Sequence, residues 1–207
     1  MSIKHVIFFL IASSWVSAGC KSEDSRPASD CFGYTAPPGW KPTSKSSGTD
    51  GKQIIIFGEK IYSLGAQRNQ DNFLVRFIPS GGLSLPGYKD FILKALGSAD
   101  KMKETMKTAE KMRANVGQFK SFVDATTEIK APVVTDHKVS GRDAYHISSE
   151  TALAVGEKPV RLITRSVLTK WGSEFIIASA GYPDFRDADL RSLADAFLAS
   201  VNFDKCK

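Results

Sequence analysis

Histidine is scarce in this chain of 207 residues, with three in all, and one of them is His5 near the amino terminus. That leaves His137 and His146 for any acid-base or metal chemistry in the body of the protein. There is no Gly-x-Ser-x-Gly elbow to present a serine nucleophile. Ser80-Gly81-Gly82 follows a strand-like segment but lacks the glycine spacing and the lysine of a phosphate-binding loop. No cysteine has a second cysteine or a histidine at ligand spacing, which argues against structural zinc. Carboxylate pairs in the last apolar-periodic segment, such as Asp184 with Asp187, suit a helix dipole rather than catalysis. No catalytic constellation, cofactor or metal is therefore expected. The chain also lacks internal repeats, and its first apolar run, residues 6–15 (VIFFLIASSW), falls short of the roughly 20 residues that span a bilayer.

What stands at the amino terminus is the layout of a secretory leader: a short basic start, that apolar run, and then small residues. Ser17-Ala18-Gly19-Cys20 resembles the lipobox of bacterial lipoproteins, in which the cysteine sulfur takes a diacylglyceryl group and the new amino terminus is acylated. Ser17 stands where leucine is usual in that motif. The reading divides the chain into a leader over residues 1–19, a flexible lipid-anchored tether over 20–31 and a single globular domain over 32–207. Lipidation is expected at Cys20, with palmitate among the acyl chains, and several chains make a stable anchor. Residues 21–30 (KSEDSRPASD) carry no large apolar side chain, as a tether requires. Lys21, rather than aspartate, follows Cys20. In a double-membraned cell the resemblance to sorted lipoproteins then implies the outer membrane, with the domain facing the periplasm.

An odd cysteine count in an exported chain normally leaves one reactive thiol. With Cys20 lipidated, Cys31 and Cys206 remain, at the start and end of the globular region, where chain termini often meet. A disulfide between them is expected, adding about 2–4 kcal/mol. Two free buried thiols are the alternative.

The formal net charge is +6, and loss of a leader with one lysine and no acid lowers it by one. The basic residues are scattered through the strands instead of forming a stripe with interleaved aromatics, and the chain is exported, so nucleic acid is not an expected partner. Anionic headgroups or envelope glycans match the charge better, and an ordinary solvated surface matches it equally. Lys101, Lys103, Lys107 and Lys111 fall off the apolar stripe of a helix, where they would suit an anionic surface. The plainer reading, a core-packing helix whose outer face mixes these lysines with Asp100, Glu104 and Glu110, is favoured.

Residues 53–57 (QIIIF) and 72–78 (NFLVRFI) read as strands, with residues 65–72 as a polar loop between them. Apolar residues at three- and four-residue spacing from Tyr88 to Ala109 predict one helix, or two broken near Gly97-Ser98. Residues 133–139 and 142–149 predict a hairpin turning at Ser140-Gly141, and 160–169 with 174–180 predict another. The hairpin register places His137 opposite Ala144 and His146 opposite Thr135, so both histidines share a face that Asp136 and Asp143 do not. Solvent-facing strand histidines are the favoured reading of that pair. Asp184 is the expected N-cap of a last helix whose apolar stripe runs from Leu190 to Val201. Trp40 and Trp171 flank turns and are candidate anchors for a partner. Core or edge packing is the more frequent use of such aromatics.

This order, with Tyr34-Thr-Ala-Pro-Pro-Gly-Trp40 before the first strands, the hairpin Val139-Ser-Gly-Arg-Asp-Ala-Tyr145, and a closing Val201-Asn-Phe203, resembles the PsbP-like α/β/α sandwich. Bacterial lipoproteins of the DcrB and LpqN type are the most similar members. The resemblance runs over residues 32–203 and implies an α+β domain whose central, mostly antiparallel sheet is flanked by helices. It also implies a non-catalytic, accessory or docking role toward an envelope protein partner. A carrier or sensor for a lipid or small amphiphile is the alternative, and it requires an apolar cleft between the sheet and the long helix.

Overall fold

The computed structural model describes residues 27–47, 51–64, 67–111, 123–155 and 158–206. The expected leader, Cys20 and most of the expected tether lie outside the described residues, as do the side chains of Lys107, Lys111 and Cys206. The described α-helices ahead of the carboxyl-terminal hairpins include α1 (Ala28–Cys31), α2 (Leu85–Ala95) and α3 (Ala99–Lys111). The strands are β1 (Lys41–Ser47), β2 (Gly51–Leu64), β3 (Gln67–Pro79), β4 (Thr126–Ile129), β5 (Val133–Val139), β6 (Arg142–Val155), β7 (Lys158–Trp171) and β8 (Glu174–Pro183). A 3-10 turn (Asp184–Arg186) leads into α4 (Asp187–Ala199).

The strands form one antiparallel sheet in the order β1-β2-β3-β8-β7-β6-β4, with β5 also on β6. β8 is buried on both faces, which explains its nearly unbroken apolar sequence. Ile176, Ala178 and Ala180 point to one face and Phe175 and Ile177 to the other, as the two-residue period requires. The first face carries Ile56, Phe73, Val75, Phe77 and Val167 and is covered by α4 and by Cys31 and Phe32. The second carries Ile78, Ile147 and Leu168 and is covered by α2 with Met102 and Val123. Two helical layers around one sheet bury the core, as the sequence pattern predicts.

The predicted elements differ from the observed ones in instructive places. The break between α2 and α3 falls at Gly97 and Ser98, and Ser98 Oγ accepts the Lys101 N–H at 3.2 Å to start the second helix. The predicted polar loop over residues 65–72 is largely strand, because β3 begins at Gln67. Gln70 Nε2 donates to the Gly58 carbonyl at 2.6 Å, across a register shift in the β2-β3 pair. Asp184 does not cap α4. It opens the 3-10 turn, accepting the Phe185 N–H at 2.9 Å, and Arg186 occupies the N-cap position. The tether also ends earlier than residue 31, because Ala28–Cys31 is a helical turn in which Ala28 and Cys31 are wholly buried. The Ala28 N–H donates to Glu174 Oε2 at 2.8 Å, which fixes this turn beside the β7-β8 hairpin. The closing segment pairs through a single antiparallel bridge between Asn202 and Gly33.

Candidate functional site

The β5-β6 hairpin turns through Ser140 (φ 49°) and Gly141 (φ 82°), the two positive φ values that a two-residue type I′ turn needs. That turn fixes the register in which His137 faces Ala144 and Thr135 faces His146, as the sequence predicts. His146 is half-buried, and burial lowers its pKa, helped by the nearby Arg165 and His137 charges. Asp143 is engaged elsewhere, in an ion pair with Lys138. Among the described residues, no group of three or more His, Cys, Asp or Glu side chains converges to hold a metal ion.

Trp171 is not an exposed anchor. It is 5% exposed and stacks on Phe203, ring centroids 4.7 Å apart, with the Arg142 guanidinium 4.1 Å above its ring. The two-residue turn at Gly172-Ser173 leaves the indole on the face that the carboxyl-terminal segment covers. Trp40 is half-buried against Phe73, centroids 4.6 Å apart, and lies directly on Gly58. Position in a turn-flanking stretch does not reveal which face an aromatic takes, and both indoles face inward. On α3, Lys101 is exposed and Lys103 half-buried, while Met102 between them is 2% exposed and faces the sheet. Among the described residues no helix is long and apolar enough to cross a membrane.

A cavity does lie between the sheet and α2, where a carrier would need one, lined by Arg76, Tyr88, Ser166 and apolar side chains. Its volume is about 20 Å³, enough for one water-sized atom.

Among the exposed apolar side chains of the described residues, which include Val133 and Leu83, one aromatic pair lies at the opposite end of the domain from α1. Phe185, 56% exposed, meets Tyr62 edge to face with centroids 5.7 Å apart. The base beneath this cluster is rigid. Arg186 is buried in an ion pair with Asp71, Nη2 to Oδ2 at 2.5 Å, and it also pairs with Asp189, which Lys60 reaches at 2.9 Å. Asp71 raises the pKa of Arg186, and burial, followed by the Asp71 charge, pushes Tyr62 up to about 12. The sequence does not single out this cluster. Its one local signal is an aromatic set between Asp184 and Arg186 in a polar turn.

No family model and no curated protein matches the chain. Among solved structures, cyanobacterial PsbP (CyanoP) from Synechocystis sp. PCC 6803 superposes with a TM-score of 0.51 at 14% identity. That match covers 92% of this chain and 98% of CyanoP. LpqN, involved in cell envelope biogenesis of Mycobacterium tuberculosis, matches with a TM-score of 0.40 and 12% identity over 83% of this chain and 82% of its own. A Pseudomonas aeruginosa protein of unknown function gives 0.41 and 13%, over 75% and 80%. The observed layers and the CyanoP superposition define the class: this chain is an α+β protein with the PsbP-like fold.

Proposed function

We propose that this chain is a non-catalytic lipoprotein of the cell envelope, anchored through Cys20 to the outer membrane, and that it docks a protein partner in the periplasm. The observation that carries the reading is the Phe185-Tyr62 pair, an exposed aromatic group on a base held by buried charge. Its position selects the occupant. Ala28 lies beside Glu174, at one end of β8, and Phe185 follows the other end. At the rise of an extended strand these ends lie about 30 Å apart. A fully extended tether from Cys20 to Ala28 reaches about 28 Å at most, so the anchor would attach at the end of the domain away from Phe185. A protein, rather than the bilayer that holds the anchor, is the partner this geometry fits, with Phe185 as the aromatic anchor residue.

The disulfide belongs to the same reading. Cys31 is fully buried, and α1 packs against the 3-10 turn Asp204–Cys206. A bridge there would fasten the point at which the tether pulls on the domain. The carrier alternative requires hundreds of cubic ångströms for a lipid-sized ligand, and the cavity under α2 has about 20 Å³.

The test is affinity isolation of the lipidated chain from its own envelope, with and without Phe185→Asp. One envelope protein should be lost with the variant while Tm and acylation stay unchanged. An identical set of co-isolated proteins from both forms would contradict the proposal.

A further inference from the structure

We propose that the outer edge of β5 pairs with the β5 edge of a second copy of this chain, joining the two sheets antiparallel with His137 on the two-fold axis. The turn decides which backbone groups that edge offers. In a two-residue turn at Ser140-Gly141 the flanking residues Val139 and Arg142 exchange both hydrogen bonds, and bonded and non-bonded pairs alternate from there. Thr135, His137 and Val139 therefore bond inward to β6, while Val134, Asp136 and Lys138 turn their N–H and C=O groups outward. The Asp143 carbonyl bears this phase out. Asp143 is the partner of Lys138, and its carbonyl accepts from the Thr169 hydroxyl of β7 at 2.9 Å, on the side away from β5. Among the described residues, no strand pairs with the outer edge of β5.

Charge selects a second copy as the occupant. β1 carries Pro42 with Lys41 and Lys45 and no acid, and β4 has four residues and a register shift, so both are blunted edges. β5 has seven residues in unbroken register, no proline and one charge of each sign. In a two-fold pair, outward-directed residues must meet outward-directed residues, which puts the axis on a residue rather than between two. An axis on Asp136 or on Lys138 sets like charges face to face. An axis on Thr135 brings Pro132, which has no N–H, opposite Lys138. An axis on His137 instead sets Asp136 opposite the second copy's Lys138 and Lys138 opposite its Asp136. Both side chains are exposed, and Lys138, already paired with Asp143, then lies between two carboxylates. Val133, 63% exposed, comes beside the turn of the second copy in the same register.

A seam of this length is at the small end of specific interfaces, so the dimer forms with rising concentration. Sedimentation equilibrium of the full chain as isolated should show a monomer-dimer equilibrium. Asp136→Lys or Lys138→Asp alone sets like charges across the seam and should weaken dimerisation about tenfold or more. These are exposed positions, so each variant should unfold at the Tm of the natural chain within a few degrees. An equimolar mixture of the two variants restores opposite charges at both positions and should dimerise as the natural chain does. The axis itself is tested by cysteine. Residues that face each other across a non-hydrogen-bonded site have Cα atoms about 4.5 Å apart, within disulfide reach. His137→Cys should therefore oxidise to a linked dimer in intact cells, whereas Thr135→Cys, two residues off the axis, should not. A monomer at every concentration, single variants that dimerise like the natural chain, or a mixture no better than either variant alone would overturn the proposal. So would a His137→Cys chain linked to a different protein in place of its own copy.

Discussion

Arg186 grips Asp71 with two prongs, Nη2 on Oδ2 at 2.5 Å and Nε on Oδ1 at 3.4 Å, across 115 residues of sequence. The side chains are 7% and 2% exposed, so this ion pair joins the turn before α4 to the start of β3 in a nearly dry setting.

Breaking the pair from one side strands a buried charge. Asp71→Asn should cost about 3–5 kcal/mol, read as a lower midpoint in urea unfolding. Replacing both partners by apolar residues of similar volume should recover much of that loss. A double variant no more stable than Asp71→Asn would contradict the assignment.

Gly58 exists for Trp40. A Cβ at position 58 would lie 2.6 Å from Trp40 Cζ2, closer than any ordinary contact. Gly58→Ala should therefore displace the indole and cost about 1–3 kcal/mol, as overpacking does. A shifted tryptophan emission spectrum together with a lower Tm is the expected readout, and Gly58→Ala combined with Trp40→Leu should restore most of the stability.

Acid should weaken the fold in two steps. His146 has a lowered pKa, principally because it is partly buried, so the folded state holds its proton less tightly than the unfolded chain. The stability this group contributes is complete above the ordinary value near 6.5 and is lost as pH falls through the lowered folded value. His146→Gln should flatten that part of the profile. Asp187, lowered first by its hydrogen bond from Arg191, and Asp189, lowered first by Lys60, contribute stability above the ordinary carboxylate value. That share is lost as pH falls from about 4 through their lowered folded values. Urea midpoints measured from pH 3 to pH 8 should resolve both steps.

A disulfide between Cys31 and Cys206, with Cys20 acylated, leaves no titratable thiol in the mature protein. Thiol titration after denaturation without reductant should read zero, and reduction should lower stability by about 2–4 kcal/mol. Two titrated thiols would contradict the pairing.

Much of the sheet is legible because its signals are local. Ser140-Gly141 dictates both the turn and the register that sets His137 and His146 on one face, and the three- and four-residue apolar spacing from Leu190 to Val201 marks the helix over the sheet. The neighbours β3 and β8 cannot be read in the same way, since their pairing depends on packing between segments about 100 residues apart. β1 carries Pro42 and several lysines and serines, which suit an edge strand and hide it from a hydrophobic scan. The polar residues from Gln67 to Asn72 read as a loop because their reason for being in a strand is remote: Asp71 needs Arg186, and Gln70 needs the Gly58 carbonyl. The Phe185 cluster is hidden for the same reason, since Tyr62 and Phe185 are brought together only by the completed sheet.

The most direct measurement is photo-crosslinking in intact cells from a benzoyl-phenylalanine placed at position 185, with position 94 on the exposed side of α2 as the control. The docking account predicts one discrete protein adduct from position 185 that is absent from position 94. Lipid adducts alone from position 185, or the same protein adducts from both positions, would contradict it.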